Sequence, residues 1–288
     1  MAAYAQRALE LELAEICFTS HYDLDPARRD VEGWMMVNGK RMPSLGPALD
    51  RYVAEVLAVR EAFAPRGLWV GLGLEVDYFP GVADLVAGPL ARHPFDFIIG
   101  SVHCLDHRCL SAAAEAPACF AGRPVREMAR RYFDLVAEAA ATGLFDVIGH
   151  LDIYKLYGRD EYGDDVLVVH RGLAGPALQT LAGHGVGLEV NTAAWRKGCA
   201  EPYPGAELLA LARSAGVRTL TFGSDAHRLA DLGWGLEPAL AYAVRAGFEV
   251  AHTFRRRQIV AAVPLSAGAV RKENEDNEMS KEEQHGNW

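Results

Sequence analysis

The chain has 288 residues, half of them apolar, and sets 29 Lys and Arg against 38 Asp and Glu, a formal charge of −9. That length can bury a large core, and a net acidic surface excludes a general polyanion binder, so no nucleic-acid partner is expected. No apolar run approaches the ~18 residues of a membrane span, no signal peptide is legible, and five cysteines without a CxxC pair fit a reduced, cytoplasmic protein.

Residues 4–15 carry helix formers with apolar Ala8, Leu9, Leu11 and Leu13, and Glu15–Phe18 follows as a strand. Residues 47–64 form a second helix with Leu49, Val53, Val56, Leu57 and Val59 at helical spacing. Strands are expected over residues 68–76, 95–102, 145–148, 186–190 and 217–222. Helices follow at about 125–141, 172–183, 205–215 and 237–246, with Gly143, Gly183 and Gly216 placed as C-terminal caps. Strand and helix alternating this often predicts an α/β fold with a parallel sheet. The strands are apolar on both faces, as covered parallel strands are. The pattern alone does not separate an open sheet from a barrel. Residues 1–269 read as one domain and the polar stretch 270–288 as a disordered tail, His285 included. The long stretches 27–45 and 105–123, each after a strand end, are expected to shape a pocket.

The strand ends carry the chemistry. Successive apolar runs terminate in His21, Glu75, His103, His150, and then Asp225 with His227. In a parallel barrel the C-terminal ends of all strands open on one face, so residues distant in sequence converge there. Imidazole and carboxylate gathered on one face suit a divalent transition metal. A bridging carboxylate such as Glu75 would hold two metals over one phosphoryl group. Any one of these residues alone reads better as a hydrogen-bonded loop residue or a helix cap. Their recurrence is the signal. His93, His107, His170, His184 and His252 lie off the strand ends and read as structural or solvated.

Residues 73–81 (GLEVDYFPG), 95–103 (FDFIIGSVH), 149–152 (GHLD), 189–192 (EVNT) and 223–227 (GSDAH) closely resemble the polymerase-and-histidinol-phosphatase (PHP) family, in particular its histidinol-phosphatases. The resemblance covers about residues 4–265. It implies a distorted (β/α)7 barrel with a trinuclear centre of divalent transition metals. Glu75 would then bridge two metals, His103 and His150 would complete one of them, Asp225 would join the second, and His21 with His227 would serve the third. Arg196, after EVNT, is expected as a phosphate clamp, with a solvated loop cation as the equal alternative. The family opens with a strand ending in His-x-His and a further His. Met1 falls after that point, so the resemblance implies a missing first strand and three missing ligands. A start placed too late is the favoured explanation, and a truncated, impaired metal-binding protein is the other. Ser20 stands where the family carries an acidic residue before the second-strand His.

The implied reaction is metal-dependent hydrolysis of a small phosphate monoester, L-histidinol phosphate, in histidine biosynthesis. A metal-activated water would attack phosphorus, and Asp225 or His227 would protonate the leaving alkoxide. Two or three metals are expected, with Mn, Zn and Fe all tolerated by these ligands. The rival enzyme reading is a phosphoesterase acting on another small phosphate or a nucleotide.

Overall fold

The structure is a computed structural model and describes residues 1–265; the expected tail at 270–288 lies outside the described residues. The N-terminal helix, Ala2–Glu10, leads into strand β1 (Glu15–Phe18). The helix is shorter than expected because Glu12 takes a positive φ of 55° and turns the chain. An excursion then forms the hairpin β2 (Trp34–Val37) and β3 (Lys40–Pro43). Helix Leu49–Phe63 follows and buries Tyr52, Val53, Val56, Val59 and Phe63 against the sheet core. Next come β4 (Trp69–Asp77), helix Val82–Arg92 and β5 (Phe97–Ser101). The sequence reading missed that helix, since Gly88-Pro89 resembles a turn; burial of Val82 and Val86 holds it in place. A second excursion forms the small hairpin β6 (Cys104–Leu105) and β7 (Arg108–Cys109).

Helix Val125–Ala141 leads to the short strand β8 (Val147–Ile148). Helix Gly175–His184 precedes β9 (Gly187–Asn191), and helix Ala206–Ala215 precedes β10 (Leu220–Gly223). The first of these helices is capped by Gly185 in the left-handed region, not by Gly183, whereas Gly216 caps the second as expected. Helix Leu236–Arg245 and the antiparallel hairpin β11 (Val250–Arg255) and β12 (Gln258–Pro264) close the described chain.

Six strands form one parallel sheet in the order β1-β4-β5-β8-β9-β10, curled into part of a barrel. Every strand of it therefore points its C-terminal end the same way. Val70, Leu72, Leu74 and Val76 of β4 are fully buried, and so are Ile98, Val147, Ile148, Leu188, Val190 and Leu220 on the strands beside it. Tyr52 reaches from its helix to cross-link the rim: its hydroxyl lies 2.9 Å from the Phe18 carbonyl and 2.8 Å from the Gly73 carbonyl. Beneath the sheet, Asp96 accepts the amides of Leu72 and Arg256 and pairs with Arg60. Asp146 accepts the amide of Ile98 and pairs with Arg257. Among the described residues no helix is long and apolar enough to cross a membrane.

Candidate metal centre

His21 reaches the site because the chain after β1 continues alongside β4. The Glu75 amide donates to the Ser20 carbonyl at 3.1 Å and the Tyr22 amide to the Glu75 carbonyl at 2.8 Å. Glu75 sits near the end of β4, with its carboxylate in the middle of the cluster. One oxygen, Oε1, lies 2.8 Å from His150 Nε2, 3.4 Å from His103 Nε2 and 2.6 Å from the Ser101 hydroxyl that donates to it. The other, Oε2, lies 3.7 Å from His21 Nε2. The ring nitrogens of His103 and His150 approach to 3.1 Å. Ligand atoms of His21, Glu75 and His103 all fall within 4.8 Å of one another. On the far side, His227 stacks 5.9 Å from the His21 ring, and its Nδ1 is 3.2 Å from Asp225 Oδ1. All six expected metal-ligand residues are thus gathered at one mouth, and all but His103 line the cavity there.

Electrostatics follow from the crowding. Burial alone would raise the Glu75 carboxyl, but the His21 charge and hydrogen bonds from His103 and His150 hold it well below the usual carboxylate range. Burial opposes the His103 imidazolium, yet Asp77 and Glu75 together push it well above its ordinary value. Against the same opposing burial, the hydrogen bond from His227 draws Asp225 down to about 2, and that bond pushes His227 up to about 9.

The fit to a cation rests on the donor atoms. His21 Nδ1 and Asp23 Oδ1 are buried without a hydrogen-bond partner, and the facing His103 and His150 nitrogens crowd one carboxylate oxygen. No Lys or Arg among the described residues pairs with Asp23, Glu75, Asp77 or Asp225. Buried imidazoles and carboxylates left short of positive charge are what a divalent cation satisfies. The residues present fit a metal.

Local backbone supports this placement. His150, Asp152 and Asp225 hold positive φ of 25°, 71° and 48°, where His, Asn and Asp are tolerated better than most residues. A Cβ on Gly223 would sit 1.8 Å from Glu189 Oε1, so glycine alone lets β10 pass the Glu189 carboxylate. That carboxylate accepts the His150 amide at 3.1 Å and the Asn191 side-chain amide at 3.0 Å. Burial raises it to about 7.

Sequence reasoning passed over four residues. Asp77 accepts the His103 amide at 2.8 Å and stands 3.4 Å from its Nδ1. Asp23 lies 3.7 Å from His21 Nδ1, supplying the carboxylate that Ser20 does not. Glu189 and Ser101 complete the set. The available signal was periodicity: Asp23, Asp77 and His227 each follow a site residue by two positions, and Ser101 precedes His103 by two. Arg196 is at the wall and not among the residues lining the cavity. Its guanidinium donates to the carbonyls of Ser224 and Asp225, bracing the Asp225 turn. The expected loop stretch 27–45 does line the cavity, through Glu32, Trp34, Met35 and Met36. That cavity holds about 1440 Å³ and runs between the β1 and β10 edges, bounded by Ile16, Phe18, Phe222 and Phe254.

Residues 1–193 match the family model described as the PHP domain. The chain belongs to the PHP family. This PHP chain is 37% identical over 256 residues to a probable histidinol-phosphatase of Deinococcus radiodurans, covering 89% of this chain and 90% of that one. It is 28% identical to the histidinol-phosphatase of Bacillus subtilis, over 82% of this chain and 90% of that protein. The fold matches the histidinol phosphate phosphatase of Lactococcus lactis, solved with zinc, L-histidinol and phosphate, at a TM-score of 0.65 and 19% identity, over 90% of this chain and 92% of that one.

Proposed function

We infer that this PHP chain is a histidinol-phosphatase, hydrolysing L-histidinol phosphate to L-histidinol and phosphate. The observation that carries it is the convergence of His21, Glu75, His103, His150, Asp225 and His227 on one mouth. The relatives named above add the substrate. Two or three divalent ions, of zinc, manganese or iron, would be held by those six residues. When bound, such ions neutralise phosphoryl charge and lower the pKa of an attacking water.

The chain's own side chains do the rest. Glu75 offers one oxygen toward His103 and His150 and the other toward His21, the geometry of a carboxylate shared between sites. Asp77 and Asp23 orient the imidazoles of His103 and His21, fixing which nitrogen faces inward. Asp225 engages His227 Nδ1, which leaves Nε2 free to meet a ligand or hand a proton to the leaving alkoxide. Side-chain exposure of 68% places His227 at the entrance, where a leaving group departs. Arg196 is assigned to the phosphate. To reach it, the guanidinium must exchange one of its two carbonyl partners for a phosphate oxygen.

Phosphate release from L-histidinol phosphate by zinc- or manganese-loaded protein tests the reading. Release from other monoesters but none from this one rejects the substrate and keeps the chemistry.

A further inference from the structure

The small hairpin behind His103 carries an arrangement that the hydrolytic chemistry does not use. Cys104 on β6 lies directly opposite Cys109 on β7. The two residues between the strands, Asp106 and His107, have φ of 50° and 63°, which makes a tight two-residue turn of the type I′ kind. Leu105 pairs with Arg108 next to that turn, and the Leu110 amide donates to the His103 carbonyl at 2.8 Å. Cys104 and Cys109 therefore occupy the position between two hydrogen-bonded pairs. There opposed Cα atoms are about 4.5 Å apart, inside the range a disulfide spans. The two thiols act on one another, which raises Cys104 above the ordinary thiol range and lowers Cys109 to about 6. Both cysteines are reduced and buried.

We propose that Cys104 and Cys109 are a built dithiol that a peroxide closes to a disulfide, and that closure loosens the hold of His103 on its cation. One sulfur attacks a peroxide oxygen, giving a sulfenic acid and water. The other sulfur then attacks the first, forming the S–S bond and releasing a second water. Burial of both thiols restricts the oxidant to one of peroxide size. The hairpin cannot relax outward. Arg123 holds the Asp106 carboxylate at 2.9 Å, Asp25 holds His107 Nδ1 at 2.6 Å, and Arg28 donates to the His107 carbonyl at 3.0 Å. Widening the pair toward the about 5.5–6 Å that a disulfide prefers thus displaces Cys104, and His103 is bonded to it through one peptide.

The proposal needs a cation at His103 but not the assigned substrate. Full-length, zinc-loaded protein is treated with hydrogen peroxide and quenched with an alkylating agent. Intact mass should fall by two hydrogens. Trypsin cuts after Arg108, so a non-reduced digest should hold two peptides together, with fragmentation placing the link between residues 104 and 109. The apparent zinc Kd should rise about tenfold and return with dithiothreitol. Cys109→Ser and, separately, Cys104→Ala should keep their zinc affinity under peroxide. A link to Cys119, oxidation without a link, or a disulfide that leaves the zinc Kd unchanged overturns the proposal. Loss of histidinol-phosphatase activity alone bears on the substrate and not on the dithiol.

Discussion

At the N-terminal ends of the strands, Asp96 and Asp146 each meet a guanidinium and backbone amides. At the C-terminal ends, Asp23, Glu75, Asp77 and Asp225 meet imidazoles, the Ser101 hydroxyl and the His103 amide. Both sets are largely buried, and desolvation acts against charge in each. The lower set is neutralised by permanent cations supplied by the chain, a device that serves stability. The upper set is left short of cation and with orphan donor atoms, a device that costs stability until something divalent arrives.

The largest expected effect breaks the upper set. Glu75→Gln removes the charge shared by three imidazoles while keeping the shape. Metal content and kcat/KM should fall together, the latter about a thousandfold, or about 4 kcal/mol. The unfolding midpoint of the metal-free protein should also fall, since the fold favours the ionised carboxylate and the His103 imidazolium loses a partner. If metal content is unchanged and only kcat/KM falls, Glu75 is a proton-handling group and not a ligand. The lower set should respond differently. Asp96→Ala leaves Arg60 and the amides of Leu72 and Arg256 without their acceptor. Denaturant titration should show a loss of about 3 kcal/mol, while metal stoichiometry stays at the wild-type value. A variant that keeps its stability would show that Arg60 finds another partner.

The same division explains what the sequence disclosed. Strand ends in ligand-type residues were legible because a run of apolar residues such as 97–100 stops abruptly at Ser101-Val102-His103. The long helices were legible for the same reason, and residues 125–141 are helical from end to end. Lower-set residues were hidden: Asp96 and Asp146 stand one residue before their strands and read as loop polarity until Arg60 and Arg257 arrive from 36 and 111 residues away. Asp77 was hidden in another way. It is the last residue of a strand that is buried from Val70 onward, and only the two-residue period shared with Glu75 distinguishes it. Arg196 was legible only as a cation beside a candidate phosphate site, because the backbone carbonyls that engage its donors come from a turn 28 and 29 residues away. The hairpins at 34–43 and 104–109 lacked the apolar alternation that marks longer strands.

Metal removal is the next smaller effect. If the upper set costs stability when empty, chelation should lower the unfolding midpoint, and restoring the ion should recover it. At a free ion concentration a hundredfold above Kd the recovery should be about 2.7 kcal/mol. Glu75→Gln should lose this dependence. Equal midpoints with and without chelator, in a protein that demonstrably binds metal, would falsify the idea that the cluster is where the ion is held.

The smallest effect separates the wall from the site it supports. Tyr52 has one hydroxyl proton and two carbonyls, of Phe18 and Gly73, within 2.9 Å, while the Ser20 amide donates to its oxygen at 3.4 Å. Tyr52→Phe keeps the ring in the core and removes these bonds. All three partners are backbone groups at the rim, so the loss should be about 1 kcal/mol. His21 is one residue beyond Ser20, yet its position is also fixed by the Glu75 and Tyr22 amides on either side. Zinc affinity should therefore stay within about twofold of wild type. A larger fall in zinc affinity than in stability would mean that the rim hydroxyl, and not the β1–β4 ladder, holds His21 over the mouth.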